Sequence, residues 1–492
     1  MRRALLLSTA VSALAGCLDF SVTPGALACD SAIDQPCPGD WLCLLEASAD
    51  KYGRCYPPGA PPEGDQRLVG PRAAPAVSAP GQRYFVDPAA GSPGNPGTEE
   101  APWRTLAEVV SSGKIERRAA DGTLAAAGVV RPGDALVLRD GDHGEVDLSG
   151  YFNPQKIYLL AADGAHPRLD GLTIHTGAGW WIQGLTIEAS GCSGGGIVSI
   201  GESGTTAASA VELVGNTLRS TDDASTWTDS DWRSTACTGV FLAGATDVRL
   251  AFNELRHVRS GVRINGKRIT LERNLIDGFS AKAVAITGAS VRGVKIRGNL
   301  ASNAYNVGDS QTLIHGAACA GCGDFEIHRN RLLAYRGGWV PADHRTTVQG
   351  IGLFDGPFDK IDIVNNLVIG NNWHGISVLD ASDVRVINNT TVIAVPTVGG
   401  PDRSWIQVTG TLASVIVRNN LANEIDVGVG ATVDHNGVVG DPAAYFVAPG
   451  VGDYRPLADG PAADSGSADR APADDLFGRP RDDQPDLGAL ER

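Results

Sequence analysis

The sequence is short of basic residues and of long apolar runs, and each shortage excludes a class of protein. Lys and Arg total 41 against 56 Asp and Glu in 492 residues, a formal net charge of −15. This balance argues against general nucleic-acid binding, which needs a basic surface. No stretch after the N-terminal residues is long and apolar enough to predict a transmembrane helix. Glycine is abundant at 62 residues, and the many turns that it implies favour β architecture over helix bundles.

The first residues have the pattern of an export signal. Two arginines precede an apolar run at 4–15 that is too short to span a bilayer, so 1–16 is interpreted as a signal peptide. The run ends in Leu14-Ala15-Gly16-Cys17, which resembles the bacterial lipobox. The resemblance implies cleavage before Cys17 and lipidation of its thiol. We therefore expect an exported protein held in the cell envelope, at the outer membrane or cell surface, whose only membrane contact is this anchor. The alternative is an ordinary secretory signal.

Export makes disulfides the expected state of the nine cysteines. Besides Cys17, the expected lipidated segment 17–55 contains four cysteines, which are enough for two disulfides: Cys29, Cys37, Cys43 and Cys55. Three pairings are open. Cys192 and Cys237 are candidates for a further bridge, and Cys319 and Cys322 for a local disulfide. A proline-rich stretch at 56–82 is interpreted as a linker, with the main domain at 83–492.

One pattern, apolar-x-apolar-x-x-Asn, recurs through the main domain. It ends at Asn216, Asn253, Asn274, Asn299, Asn330, Asn366, Asn389 and Asn420. Alternation makes each repeat a strand with one buried face, and self-similarity at 20–40 residues indicates stacked coils. A short strand precedes each Asn segment and another follows several of them. Three strands per coil without helices between them predict an all-β right-handed parallel β-helix, a single-stranded solenoid with an asparagine ladder at one corner.

These repeats resemble those of bacterial pectate-lyase-like proteins. The beginning of the domain at 84–106, the first coil at 131–138 and the ending at 485–491 are similar to the usual features of that superfamily. The resemblance implies an N-terminal helix, at about 105–112, that caps the solenoid. It covers about 83–492 and is specific for the fold, because the superfamily contains lyases, epimerases, hydrolases and non-enzymes.

The default binding site is a groove over the sheet built by the first strand of each coil. Loops at 217–238, 300–311, 331–348 and 393–404 are expected to wall it. Alternation makes one outward column of Phe241, Arg263, Ala285, His315, Gly352, Ser377 and Gln407. It suggests a second column with few side chains, a low floor on which a ligand could lie: Gly239, Gly261, Ala283, Leu313, Gly350, Gly375 and Trp405. The alternative is that the glycines only allow the chain to turn before each strand.

Charge and aromatic residues near the groove suggest a polyanionic glycan. Residues 249–297 contain eleven Lys or Arg and three acids, a local net charge of +8. The alternative is solvated charge spread over three faces. The loop aromatics Trp227, Trp232, Tyr305, Trp339, Trp373 and Trp405 either stack on sugars or pack the loops onto the solenoid.

A uronate lyase needs a base for the proton α to a carboxylate and a cation that neutralises that carboxylate. Lys282 or His315 is the candidate base and Arg263 the candidate carboxylate partner, with His374 and His344 as further candidates. Gln349, Trp373, Trp405 and Gln407 are the remaining candidates for substrate binding. The resemblance implies that Ca²⁺ accompanies such residues in many relatives, although the sequence itself points to no certain cofactor.

The sequence departs from several patterns of the superfamily. The Lys-then-Arg pair of chondroitinase-like and alginate-lyase-like enzymes falls on Gly244 and Asn265, and the Asp-Pro-His-Asp signature of alginate epimerases is absent. Two functions stay open. One is a polysaccharide lyase acting on a uronic-acid-containing polymer, and the other is a non-catalytic glycan-binding or structural surface lipoprotein.

Overall fold

The computed structural model describes residues 28–30, 42–45, 52–56, 74–77, 79–189, 191–192, 195–202, 208–303, 311–317, 319–334, 347–393, 403–411, 414–449 and 453–492. The chain divides into two compact units, Met1–Val69 and Gly70–Arg492. In the first unit, strands Ala28–Asp30, Leu42–Leu45 and Tyr52–Tyr56 form an antiparallel sheet with the third strand in the centre. Cys43 is the register partner of Cys55 in that sheet. Cys17 and the predicted signal peptide lie outside the described residues.

The second unit is a solenoid of parallel strands with three faces, as the repeat pattern predicted. The first sheet, which forms the groove, contains Glu145–Asp147, Gly171–Ile174, Gly196–Ile200, Gln311–Ala317, Val348–Leu353, Trp405–Gly410 and Glu424–Val427. Four long strands turn a corner and contribute to more than one sheet: Thr238–Ala251, Glu254–Glu272, Leu275–Thr287 and His374–Ile387.

Two further sheets complete the coils. The second contains Arg83–Val86, Ala135–Leu138, Tyr151–Ala161, Gly177–Gln183, Ser209–Val214, Arg292–Arg297, Cys322–His328, Phe358–Val364, Val415–Arg418 and Thr432–Asp434. The third contains Gly141–Asp142, Pro167–Leu169, Thr186–Glu188, Thr217–Arg219, Leu300–Ser302, Arg331–Leu333, Leu367–Gly370, Thr390–Ile393, Leu421–Ala422 and Gly437–Val438. Valine, isoleucine and leucine from all three sheets fill the interior.

Short elements lie at the ends of the solenoid and in its loops. Helix Leu106–Ser111, predicted at about 105–112, buries Leu106 and Val109 in the core, and Thr105 caps it by accepting a hydrogen bond from the Glu108 amide. The other elements are helix Asp229–Ser234, the 3₁₀ turn Pro442–Ala444, and the antiparallel pairs Arg117–Arg118 with Leu124–Ala126 and Phe446–Ala448 with Asp453–Pro456.

The eight predicted asparagines form a continuous ladder, and Asn436 extends it by one coil. Asn299 is typical of its members. Its side-chain amide donates to the Leu271 carbonyl and to Asn330 Oδ1, each at 3.0 Å, and its own Oδ1 accepts from the backbone and side chain of Asn274 at 2.9 Å. The residue before each ladder asparagine has a positive φ, so every coil turns this corner in the same way. The ladder thus supplies hydrogen-bond partners to the buried backbone groups at this corner, which the apolar side chains of the core cannot do.

Two predicted disulfides are confirmed in the solenoid, Cys192–Cys237 and Cys319–Cys322. The C-terminal end of the expected linker also contacts the solenoid. Ala74 packs against Val214 and Phe252, and the Pro75 carbonyl accepts a hydrogen bond from Gln183 at 3.0 Å. Among the described residues no helix is long and apolar enough to cross a membrane.

Candidate functional site

Strand register places the outward side chains of the first sheet in two columns. The first column, Phe241, Arg263, Ala285, His315, Gly352, Ser377, Gln407 and Asp426, follows the prediction and adds Asp426 at its end. The second contains Thr238, Ser260, Lys282, Thr312 and Gln349. Adjacent coils are about 4.8 Å apart, so a ligand along the sheet meets several of these residues.

The predicted low floor is wrong, because its members other than Trp405 face inward. Ala283 and Leu313 are fully buried, and a Cβ on Gly239 or Gly261 would meet the core side chains Leu255 and Ile276. Each first strand begins with a bend, so two successive residues point to the core before alternation starts. The glycines give room inside the solenoid and offer no surface to a ligand.

Lys282 is the candidate base that the structure supports best. Its Nζ donates to Thr312 Oγ1 at 3.0 Å, and that hydroxyl donates to Gln349 Oε1 at 2.9 Å. Burial of the side chain lowers the pKa of the ammonium group. No carboxylate pairs with it in the described part of the chain. A half-buried amine without a counter-ion is easier to deprotonate than an ordinary lysine, which is what a base requires.

His315 lies beside Lys282. Burial, and the positive charge of Lys282, lower the pKa of its imidazole to about 4, so the ring is neutral near pH 7. Its ring centroid is 5.7 Å from that of Phe354. A neutral imidazole can accept a proton, but it is a poor acid for a leaving group at this pH.

Arg263 is the exposed cation of the groove. Its guanidinium lies over the Phe241 ring at 5.2 Å and donates to Thr287 Oγ1 at 3.4 Å. No ion pair to it occurs within the described ranges. The register pairs Arg263 with Ala285, and the partner of Lys282 is Ser260, so the two cations stand in different columns on neighbouring coils.

An aromatic cluster occupies later coils. Trp373 is 48% exposed, and its ring is stacked on Trp405 with a centroid distance of 6.4 Å. His374 Nδ1 is 2.9 Å from Ser377 Oγ, and Trp405 Nε1 donates to that hydroxyl at 3.3 Å. Burial lowers the pKa of His374, so this ring too is neutral near pH 7. His374 comes three coils after Lys282, so its predicted catalytic role stays a prediction.

The last candidates lie in the two columns. Gln349 is the hydrogen-bond partner of Thr312, and Gln407 donates to Asp426 Oδ2 at 2.8 Å. The sequence reasoning did not single out Thr312 or Asp426. Alternation from Lys282 and Gln407 to the neighbouring coils would have found them.

Six of the eleven basic residues at 249–297 pair with acids on the same or nearby coils, which favours the alternative of charge spread over several faces. Arg249 bridges Glu212 and Glu272, and Arg268 pairs with Asp247. Similar pairs join Arg256 to Glu254, Arg292 to Asp324 and Asp359, and both Lys295 and Arg297 to Glu326. Only Arg263 and Lys282 bring charge from this band into the columns of the groove.

Of the loop aromatics, Trp227 and Trp232 have the packing role, and sugar stacking by Trp373 and Trp405 stays a prediction. Trp232 is buried against Trp227 and accepts a hydrogen bond from Ser280 through its carbonyl, so this pair holds a loop onto the solenoid. Tyr305, Trp339 and His344 lie outside the described residues.

The described residues contain no group of three or more His, Cys, Asp or Glu that could hold a metal ion. Calcium takes six to eight oxygen ligands, mainly carboxylates. The outward residues around Lys282 are hydroxyls, an amide, a histidine and cations, which do not fit such a site.

Comparisons with known proteins agree on the fold. A sequence model of the family described as "Right handed beta helix region" matches residues 209–391. This part of the chain is therefore a right-handed parallel β-helix, as predicted. A search of curated proteins finds no match.

Several solved structures are similar at low identity. Pectate lyase Pel9A is 14% identical, with a TM-score of 0.46, over 85% of this chain and 98% of that one. A rhamnogalacturonan lyase is 13% identical, with a TM-score of 0.33, over 75% and 91%. PfbA, a surface adhesin of Streptococcus pneumoniae, is 9% identical, with a TM-score of 0.34, over 62% and 80%. Values at this level support no inference about activity, which has to come from the site.

Proposed function

We propose that the groove binds an acidic, uronic-acid-containing polysaccharide and cleaves it by β-elimination. The observation that carries the proposal is the amine of Lys282, which is half-buried, has a lowered pKa and has no carboxylate partner among the described residues. Most cations in this region of the chain are neutralised by a neighbouring acid. An unpaired amine in a ligand-accessible column is costly to fold and is explained by a use in binding or catalysis.

The chemistry follows from the positions of three residues. Arg263 pairs with the carboxylate of a bound uronate, which makes the adjacent C5 proton more acidic. Neutral Lys282 takes that proton, the electron pair forms a C4–C5 double bond, and the C4–O bond to the next sugar breaks. The leaving oxygen is protonated by water that reaches the open groove, since His315 is neutral at this pH. Thr312 and Gln349 hold the Lys282 amine in place and do not touch the reacting atoms.

No step uses a metal ion, because the residues around Lys282 do not fit calcium. We also propose that the protein is exported and anchored in the cell envelope through a lipid on Cys17. This part rests on the lipobox alone. Substituting Cys17→Ser should release the protein from membrane fractions or leave it unprocessed, and labelled palmitate should mark only the wild type.

A panel of pectate, alginate, hyaluronan and chondroitin, followed by the ultraviolet absorbance of unsaturated uronates, tests the enzymatic part. Wild type should give absorbance with at least one polymer and Lys282→Ala with none. Lys295→Ala is the matched control, since Lys295 lies on the second sheet and pairs with Glu326. Salt-sensitive binding without any absorbance would leave the second function, a glycan-binding surface protein. If the protein neither binds any of these polymers nor produces absorbance, the proposal is refuted.

A further inference from the structure

The half of the groove that runs from Arg263 to the last coil carries opposite charge at its two ends. Arg263 and Lys282 stand on the first coils of this half, in the middle of the first sheet, without a carboxylate partner in the described part of the molecule. On its last coils the outward residues are Glu424 and Asp426. Arg403 pairs with Glu424 at 3.0 Å, and Asp426 accepts only from the neutral amide of Gln407, so the later end has an uncompensated negative charge.

The later end also has the surface of a neutral-sugar site. The Trp373 ring is 48% exposed and stacked on Trp405 with an interplanar angle of 21°, so it offers an exposed aromatic face on the coils next to Gln407 and Asp426. Apolar C–H faces of sugars pack on such rings, and carboxylate and amide groups accept and donate hydrogen bonds to sugar hydroxyls. Among the described residues at this end, Arg403 is the cation available to a carboxylate on the ligand, and it is already paired with Glu424.

The distance between the two ends determines how many sugars of one bound polysaccharide lie between them. Lys282, Thr312, Gln349, His374 and Trp405 come from successive coils, so the basic and aromatic ends are four steps apart, about 19 Å at 4.8 Å per step. A polysaccharide lying along the sheet therefore spans several sugars between them. If every sugar carried a carboxylate, those over Asp426 and Glu424 would be repelled.

We propose that the groove is selective for a polysaccharide in which uronates are sparse, with one uronate at Arg263 and Lys282 and uncharged sugars over Trp373 and Trp405. This inference rests on the proposed function, because it assumes that the basic end binds a uronate. It goes further by naming the charge pattern of the substrate.

Polymers that differ only in charge density test the selectivity. Pectate and pectins of increasing methyl esterification form one series, and alginate with its partially esterified derivative forms another. Affinity gel electrophoresis at low salt measures binding. Wild type should bind a partially esterified polymer about two- to fivefold more tightly than its fully charged parent, because like charges at exposed positions cost this much.

Two variants locate the effect. Asp426→Asn should remove most of that preference by improving binding of the fully charged polymer, whereas Asp163→Asn, the same charge change on an exposed turn between the second and third sheets, should not. Trp373→Ala should weaken binding of the esterified polymers about three- to tenfold, the size of a lost ring contact.

The outcomes separate this inference from the proposed function. If affinity rises steadily with charge density and Asp426→Asn leaves that trend unchanged, the inference is wrong, although an effect of Arg263→Ala on both series would keep the acidic-polysaccharide function. If Arg263→Ala changes no binding, or if neither series binds, the proposed function fails and this inference fails with it.

Discussion

Burial of the Lys282 side chain should determine the pH dependence of the site. Its ammonium is desolvated, so its pKa lies below that of an ordinary lysine. A base acts in the neutral form, and activity should therefore rise with pH and level off below the range where a solvent-exposed lysine titrates. The kcat/KM profile measures this rise. Lys282→Arg, which stays charged, should be inactive at every pH.

The same residue should trade stability for function. A charged amine that is buried without a counter-ion destabilises the folded protein, so Lys282→Met should unfold at the same or a higher temperature than wild type while losing all elimination. The folded protein binds the proton less tightly than the unfolded chain, so this cost falls as the pH rises into the alkaline range. A lower melting temperature for Lys282→Met would show that the amine is part of the structural framework.

Arg263 and Arg249 differ in their surroundings, and this difference separates local recognition from diffuse charge. Arg249 already pairs with Glu212 and Glu272 on the second sheet, whereas Arg263 faces the groove. Arg263→Ala should weaken polysaccharide binding by about 10- to 150-fold, since a charge-assisted hydrogen bond contributes about 1.5–3 kcal/mol. Arg249→Ala should leave binding within about twofold and lower stability slightly. Equal losses would mean that only net charge matters.

The asparagine ladder is the element that connects the coils, and its members should differ in importance with burial. Asn299→Ala removes five hydrogen bonds in a corner closed to water and leaves the Asn274 and Asn330 side chains short of partners. We expect a loss of about 2–3 kcal/mol, measured as a shift in the urea unfolding midpoint. Asn436→Ala, on the partly exposed last coil, should cost less because water replaces the lost partner. Similar losses at both positions would show that the ladder acts through backbone geometry alone.

Repeats within the chain made the ladder and the first outward column predictable, because period-2 alternation and a shared Asn corner are local signals. Features that depend on register between coils were not predictable in the same way. Arg249 meets acids 37 and 23 residues away, and loops of unequal length hide such pairs in the sequence. The bend at Gly239 and Gly261 also breaks the alternation, which turned a predicted floor into part of the interior.

At the scale of the whole molecule, the solenoid and the Cys-rich segment should behave as separate folding units. The chain divides at Val69, and two disulfides, Cys192–Cys237 and Cys319–Cys322, belong to the solenoid. Deleting residues 18–69 should therefore leave the melting temperature of the solenoid unchanged within a degree or so. Under non-reducing conditions, mass spectrometry should find Cys29, Cys37, Cys43 and Cys55 all oxidised.

Reduction of the disulfides in the solenoid, by contrast, should lower the stability of the solenoid itself. Cys192 is exposed, and its bond closes a sequence separation of 45 residues around the loop that contains Trp227 and Trp232. The Cys192→Ser, Cys237→Ser double variant should lose about 2–4 kcal/mol by releasing the entropy of that loop in the unfolded chain. The Cys319–Cys322 bond closes only a short turn and is fully buried, so its double Ser variant should lose less through loop entropy. Calorimetry of both variants in the truncated protein measures the difference. If the truncated wild type melted at the same temperature with and without reductant, the longer bridge would carry no stability.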